Sequence, residues 1–353
     1  MTRTTSYRLP KFALLLLIAF LGACQTPPPP PPVVQQPKAP PPAPAPDNSA
    51  ELARNAAFQE LVTMQERLYR VAAPLLLNNT NMCQAQYLLG FTAKNKYSYT
   101  NEFIDSAAKV LGLGEQLQIM GVTPGSGAAS VGLKSGDKLV AIGEVQLPQG
   151  PSAEMQAHGV LVSLLAEKTT VGIMVNRNGQ DISLKVPLTH ACAFSMELGN
   201  TDAVNAYADG RRVLLTRGTL KAFASDDDLA MVIAGEMARN ALMRSNKLHA
   251  ANTAAEIIDN LSHVHPELDK LSQIKPPGEE SDMAADKRAL LMLARAAYPF
   301  EAYPRFWARI ATQGGPADAY VALHPLTQRR GAAMGRVIAE IKAKQTAHKA
   351  IQP

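Results

Sequence analysis

Seven histidines, three cysteines and 30 acidic side chains carry the reactive chemistry of this 353-residue chain. Their spacing removes most of the options. Ser225 and Ser245 lack the G-x-S-x-G surroundings of a nucleophile elbow. No cysteine has a CxxC partner, so a structural zinc site is not expected. His190 stands two residues before Cys192, but disulfide pairing explains that cysteine better than nucleophilic catalysis does. His249, His263 and His265 read as surface loop histidines. Glu236 is different. It lies in residues 229–243 (LAMVIAGEMARNALM), which are apolar almost all round and read as a buried helix. A buried carboxylate without a cation is costly. Arg239, three residues on, can share the helix face of Glu236; the alternative has Arg239 pointing to solvent. Asp282, Asp286, His324 and Arg330 are the other chemistry-bearing residues of this half.

The rest of the chain must position these groups. Apolar residues make up 46% and charged residues 18%, enough to fill the cores of two domains and incompatible with wholesale disorder. Aromatics at 5% leave no stacking platform for bases or sugars. The net charge of +5 includes Arg3, Arg8 and Lys11. Without them 32 scattered basic side chains face 30 acidic ones, and no nucleic-acid partner is expected. Those three cations flank an apolar run, residues 12–21, too short for a permanent span and ending in Leu21-Gly22-Ala23-Cys24. The arrangement resembles a bacterial lipobox. That implies cleavage before Cys24, diacylation of Cys24 and a membrane partner through the lipid anchor. Gln25 in place of Asp implies sorting to the periplasmic face of the outer membrane. Residues 27–46 hold 12 of the 26 prolines and read as a polyproline II spacer reaching ~60 Å. In an exported chain the remaining pair, Cys83 and Cys192, is a disulfide candidate, with two buried free thiols as the alternative.

Residues 50–73 repeat apolar positions at helical spacing, and the helix is expected to end at Pro74. From residue 117 a strand pattern runs into Thr123-Pro124-Gly125-Ser126-Gly127, then Gly132-Leu133, Gly136-Asp137 and a second strand to Ile142. This run resembles a PDZ domain (V-x-PGS-x-A…GL-x-GD-x-L-x-x-I). The resemblance implies peptide binding by strand addition beside a loop that holds a terminal carboxylate. Leu89, Gly90 and Phe91 fit that loop, and Leu111-Gly112-Leu113 is the rival. Residues 94–113 then form an insertion. Residues 153–167 become the groove helix, with His158 exposed on it. Residues 171–175 and 182–186 form a hairpin turned at Asn178-Gly179.

A second resemblance covers about residues 204–334. Asn205-Ala206 with Val213-Leu214-Leu215-Thr216-Arg217-Gly218, then Asp226-Asp227-Asp228 and the helix of Glu236, then Asp282 and Asp286, then His324-Pro325-Leu326-Thr327 and Arg330, follow in the order of the HtpX and CAAX-prenyl-protease type of gluzincin metallopeptidase. The family's HExxH needs two imidazoles at i and i+4 to reach one zinc from one helix face. In that register stand Gly235, Glu236, Met237, Ala238 and Arg239. Gly235 has no side chain, and Arg239 has donors only. Asp282 falls where the family has its third ligand, Glu. Only the general-base position, Glu236, is kept, so the resemblance implies an inactive relative that holds no zinc. Arg239 then takes the metal's place between Glu236 and Asp282. A relocated metal site of Glu236, Asp282 and His324 is the competing arrangement.

The expected fold class is α+β: a helical gluzincin-type domain with a small sheet, plus an inserted PDZ-like β-sandwich or barrel. The expected order is signal peptide 1–23, lipidated spacer 24–49, first helix 50–82, PDZ-like domain 83–192, peptidase-like domain 193–345 and tail 346–353. Cys83 and Cys192 would staple the insertion. The expected function is non-catalytic binding of extended or C-terminal peptides of envelope proteins, at Leu89, Gly90 and Phe91 and at an edge strand holding Asn205 and Ala206. No cofactor is expected; the alternative function is an active zinc endopeptidase with a non-standard site.

Overall fold

The computed structural model describes residues 48–165, 168–199, 201–243 and 277–352. The lipobox, the proline-rich spacer, Ser245, His249, His263 and His265 lie outside the described residues. No helix among the described residues is long and apolar enough to cross a membrane.

Helix α1 (Ser49–Leu77) buries Phe58, Val62, Leu68, Val71 and Leu75 along one side. It does not stop at Pro74 as its sequence suggests. Proline withholds one N–H and crowds the preceding turn. Here the following turn is held by the Asn78 N–H and Nδ2, both donating to the Pro74 carbonyl at 3.1 and 3.0 Å, and by the fully buried Leu75.

The chain then enters a β-rich segment bounded by the Cys83–Cys192 disulfide, 109 residues apart in sequence. Strand β1 (Ala85–Leu88) pairs antiparallel with β8 (Thr189–Cys192), Ala85 opposite Cys192. Between them lie β2 (Phe91–Lys94), β3 (Gln118–Val122), β4 (Lys138–Ile142), β5 (Val145–Gln146), β6 (Thr170–Arg177) and β7 (Gln180–Pro187). Their order is β2-β3-β4-β6-β7, with β5 on β4. Asn178 and Gly179, both at positive φ, turn the β6–β7 hairpin as expected. The short helix α3 (Gly127–Ser130) is capped by Ser126, whose Oγ accepts from the Ala129 N–H. Helix α4 (Ala153–Leu165) sets Ala153, Ala157 and Leu161 into the same core as Leu89, Phe91, Ile119 and Ile142.

Residues 94–113 do form an insertion. Two 3₁₀ turns and α2 (Ile104–Leu111) pack Tyr99, Ala107 and Leu113 on Phe58 and Val62 of α1. Gly112, at φ +65°, ends α2 and leads into no β2-like strand, which removes Leu111-Gly112-Leu113 as the carboxylate loop.

The remaining half is a mixed sheet under helices. Strand β11 (Arg212–Thr216) sits between β10 (Ala206–Ala208), antiparallel to it, and β9 (Ser195–Gly199), parallel to it. Helix α5 (Arg217–Ala222) follows, then α6 (Asp226–Leu242), capped by Ser225 with three aspartates in its first turn. Every residue of α6 from Leu229 to Asn240 is buried, as its apolar circumference requires. Around it pack α1 and α7 (Glu279–Arg295), then α8 (Tyr303–Gln313), α9 (Asp318–Leu323) and α10 (Gln328–Thr346).

Candidate functional site

The chemistry-bearing residues of the helical half converge on one buried cluster. Helix α6 supplies Gly235, Glu236 and Arg239; α7 supplies Asp282 and Asp286; Tyr303, Tyr320, His324 and Arg330 come from α8, α9, the residue after α9, and α10. Glu236, Arg239 and Asp282 are 1%, 6% and 2% exposed. Arg239 Nη1 donates to Glu236 Oε1 at 2.7 Å and Nη2 to Asp282 Oδ1 at 3.1 Å. The guanidinium therefore bridges the two carboxylates, and the solvent-facing alternative for Arg239 fails. Gly235 makes room for it: a Cβ there would lie 3.2 Å from Arg239 Nη1 and 3.4 Å from the Tyr303 hydroxyl. The position of the guanidinium thus depends on the volume that the glycine leaves open.

The surrounding groups saturate both acids. Tyr320 donates to Glu236 Oε1 at 2.9 Å, and His324 Nδ1 lies 2.9 Å from Asp282 Oδ1. Burial alone would raise the Asp282 carboxyl; the His324 hydrogen bond and the charges of His324, Arg239 and Arg330 outweigh it and hold Asp282 below the usual range. Burial and the neighbouring Glu236 push the Tyr320 hydroxyl well up, so it remains a donor. Arg330 grips Asp286 through Nε and Nη2 at 2.5 and 2.8 Å, caps the His324 carbonyl at 2.6 Å and stacks 4.2 Å over Trp307. His324, a loop histidine in the sequence, is buried because Arg330 ties its backbone and Asp282 its ring.

These residues do not fit the zinc that the metallopeptidase resemblance implies. Among the described residues the donors nearest in kind are Glu236, Asp282 and His324, and the space between the two carboxylates holds a guanidinium that cannot lose its proton. Among the described residues no three His, Cys, Asp or Glu side chains are placed to hold a metal ion. Arg239 and Tyr320 both donate to Oε1 of Glu236.

A cleft of about 150 Å³ opens in front of Glu236 and Arg239, walled by Ala206, Tyr207, Leu242 and His324. Strand β10 is at the end of its sheet. Ala206 belongs to it, but Asn205 does not: its N–H donates to Thr219 Oγ1 and its carbonyl accepts from the Thr216 N–H, so its backbone is already used.

Strand β2 is the second open edge, pairing with β3 alone. Leu89 and Gly90 lead directly into Phe91. Gly90 has φ +79°, and a Cβ there would lie 2.5 Å from Ser126 Cβ, so only glycine fits. Its carbonyl accepts from the Thr123 N–H at 2.8 Å and from Ser126 Oγ at 3.2 Å, fixing the loop on the Pro-Gly-Ser turn. His158 on α4 is half-buried and not exposed as expected; its Nδ1 is enclosed without a partner. Composition hid the aromatic lining of Tyr303, Trp307 and Tyr320. Its sequence signal is the i, i+4 spacing of Tyr303 and Trp307 and of Tyr320 and His324, which sets each pair edge to face on one side.

No known protein family matches the chain, and no curated protein does. Among solved structures it is similar to the HtrA3 PDZ domain bound to a phage-derived ligand (FGRWV), at 16% identity over 30% of this chain and 88% of that one, with a TM-score of 0.22. It is also similar to the HtrA-type protease AlgW with a decapeptide, at 25% identity, with a TM-score of 0.23. The match covers 30% of this chain and 30% of the AlgW chain.

Proposed function

We propose that this protein is an envelope lipoprotein, anchored through Cys24, that binds extended or C-terminal segments of other envelope proteins and does not cleave them. The observation that carries the peptide reading is the open edge of β2, preceded by the glycine turn at Leu89-Gly90 and sharing a core with α4. An added strand would satisfy the outer backbone groups of β2, and a terminal carboxylate would meet the turn at Gly90. The segment from 204 onward is read as a metallopeptidase-like domain whose catalytic cation has been replaced by Arg239, leaving the cleft beside β10 as a second chain-binding surface. A role in envelope quality control or outer-membrane assembly follows by analogy.

The test is binding of fluorescent peptides to the full chain, comparing free and amidated C-termini, beside casein digestion with and without chelator. Tighter binding of free C-termini with no digestion is expected. Chelator-sensitive cleavage that disappears in Glu236→Gln would reinstate the active zinc peptidase.

A further inference from the structure

Three buried polar atoms without hydrogen-bond partners line a single cavity: Lys94 Nζ, the Tyr99 hydroxyl and Gln65 Oε1. Their residues are 2%, 5% and 4% exposed. An enclosed, unsatisfied polar group is costly, and a charged one more so. Three orphans around one space point to something that fills it.

The cavity has a volume of about 420 Å³, in the range of small-molecule pockets. It lies between α1 and the β2–β3 hairpin. Phe91 and Ala93 pack into the PDZ-like core, so alternation turns Thr92 and Lys94 to the opposite face, where they line the cavity. Helix α1 contributes Val62, Gln65, Tyr69, Ala73 and Leu76. This stripe at helical spacing extends over about 21 Å. The facing wall is apolar, with Leu88, Met120, Val122 and Phe194. The cavity is thus long and largely apolar, with Lys94 Nζ and the Tyr99 hydroxyl as orphaned donors, Gln65 Oε1 as an orphaned acceptor, and Glu66 and Arg70 also in its wall. Strands β1, β2 and β9 border it through Leu88, Thr92 and Met196, and the buried ammonium beside an apolar path is what favours an acyl carboxylate over a polypeptide.

The polar groups select the sign of the ligand. Lys94 Nζ sits 5.5 Å from the centroid of the Tyr99 ring and has no ion-pair partner among the described residues. Glu154 acts on Lys94 and Tyr99, and Glu66 on Tyr99, without a direct bond to either. Gln65 Nε2 donates to the Tyr69 hydroxyl at 2.8 Å, and a flipped amide would keep that bond and turn Nε2 inward. We propose that the cavity binds a long-chain carboxylic acid, its carboxylate on Lys94 and Tyr99 and its hydrocarbon along the α1 stripe.

The proposal is tested by displacing cis-parinarate, a fluorescent fatty acid, from the full chain. One site per chain is expected. Hexadecanoate should compete at about tenfold lower concentration than hexadecanol, since only the acid answers the buried ammonium. Lys94→Met should remove that tenfold preference while leaving hexadecanol binding within about twofold. Ala73→Phe, which fills the hydrocarbon path, should weaken both. Equal competition by acid and alcohol would overturn the proposal. So would an unchanged Lys94→Met, the absence of one-to-one binding, or displacement by a free-carboxylate apolar pentapeptide at the concentration hexadecanoate needs. Gly90 and Phe91 border this cavity as well, so the two readings are told apart by ligand: the peptide reading is measured on free and amidated peptides with no acyl chain present.

Discussion

Replacing Arg239 by methionine tests whether the guanidinium holds the helical half together. Methionine keeps most of the volume and removes the charge. Glu236 then retains only the Tyr320 hydroxyl on Oε1, and Asp282 retains His324. Both acids stay buried. Removing one partner of a buried ion pair typically costs about 3–5 kcal/mol, and two carboxylates share the loss here. For a chain of this size that is a fall in Tm of roughly 10 °C. The pH dependence follows from the proton balance. Arg239 is one of the charges that hold the Asp282 carboxyl below its usual range, so its removal lets that carboxyl rise. The stability that a depressed carboxyl contributes is present above its unfolded pKa and lost as pH falls through the folded one. The deficit against wild type should therefore grow as pH rises from about 3 to about 5 and stay level above. Adding Glu236→Gln, which can still accept from Tyr320, should recover about 1 kcal/mol or more as a non-additive coupling. Thermal and urea unfolding across that range would measure it. A Tm loss under about 2 °C, or a loss independent of pH, would refute the claim that Arg239 stands as the site's cation.

Three further outcomes follow from the same geometry. Gly235→His alone should destabilise the fold, because its Cβ already meets Arg239 Nη1 at 3.2 Å; Gly235→His with Arg239→His removes that conflict, sets imidazoles at i and i+4, and should bind one zinc by elemental analysis where wild type binds none. Lys94 is held down to about 8 by burial, partly offset by Glu154; since a depressed base costs stability while charged in both states, Lys94→Met should stabilise by roughly 3 kcal/mol below pH 8, the gain vanishing towards pH 10.5. Replacing Cys83 and Cys192 by serine should cost on the order of 4 kcal/mol, read from urea midpoints, because the bridge closes a loop of over 100 residues.

What the sequence made legible was whatever is written in local pattern. The Pro-Gly-Ser turn, the Asn178-Gly179 hairpin and the apolar circumference of α6 need only their own residues, and each is found where the pattern puts it. The cysteine count anticipated the Cys83–Cys192 bridge, and the spacing of Glu236 and Arg239 anticipated their pairing. What escaped was tertiary. Pro74 reads as a stop, yet Leu75 is buried deeply enough to carry α1 onward. The burial of His324 depends on Arg330, six positions later, folding back on its carbonyl. Asn205 reads as a strand residue, but two threonine hydroxyls at the β11–α5 junction, Thr216 and Thr219, take its N–H. The burial of Lys94 depends on an insertion whose packing on α1 no local period announces.

The cluster around Arg239 also explains how buried carboxylates on two helices are held by a single guanidinium. Three buried carboxylates, Glu236, Asp282 and Asp286, come from α6 and α7, and any fold that keeps them must supply cations. Arg330 neutralises Asp286 with a bidentate grip that leaves nothing free for the others. Glu236 and Asp282 therefore depend on one more cation, and a guanidinium reaches both with two separate donors, which a lysine ammonium would do less well. Its planar head needs the volume that Gly235 vacates. An arginine so placed braces α6 to α7 and, through Tyr320 and His324, to α9. Arg239→Lys should consequently lose a large part of the stability that Arg239→Met loses, because one ammonium on a flexible stem cannot span both acids in the geometry that the fork provides. Full stability in Arg239→Lys would mean that charge alone, and not the two-point bridge, holds the helices.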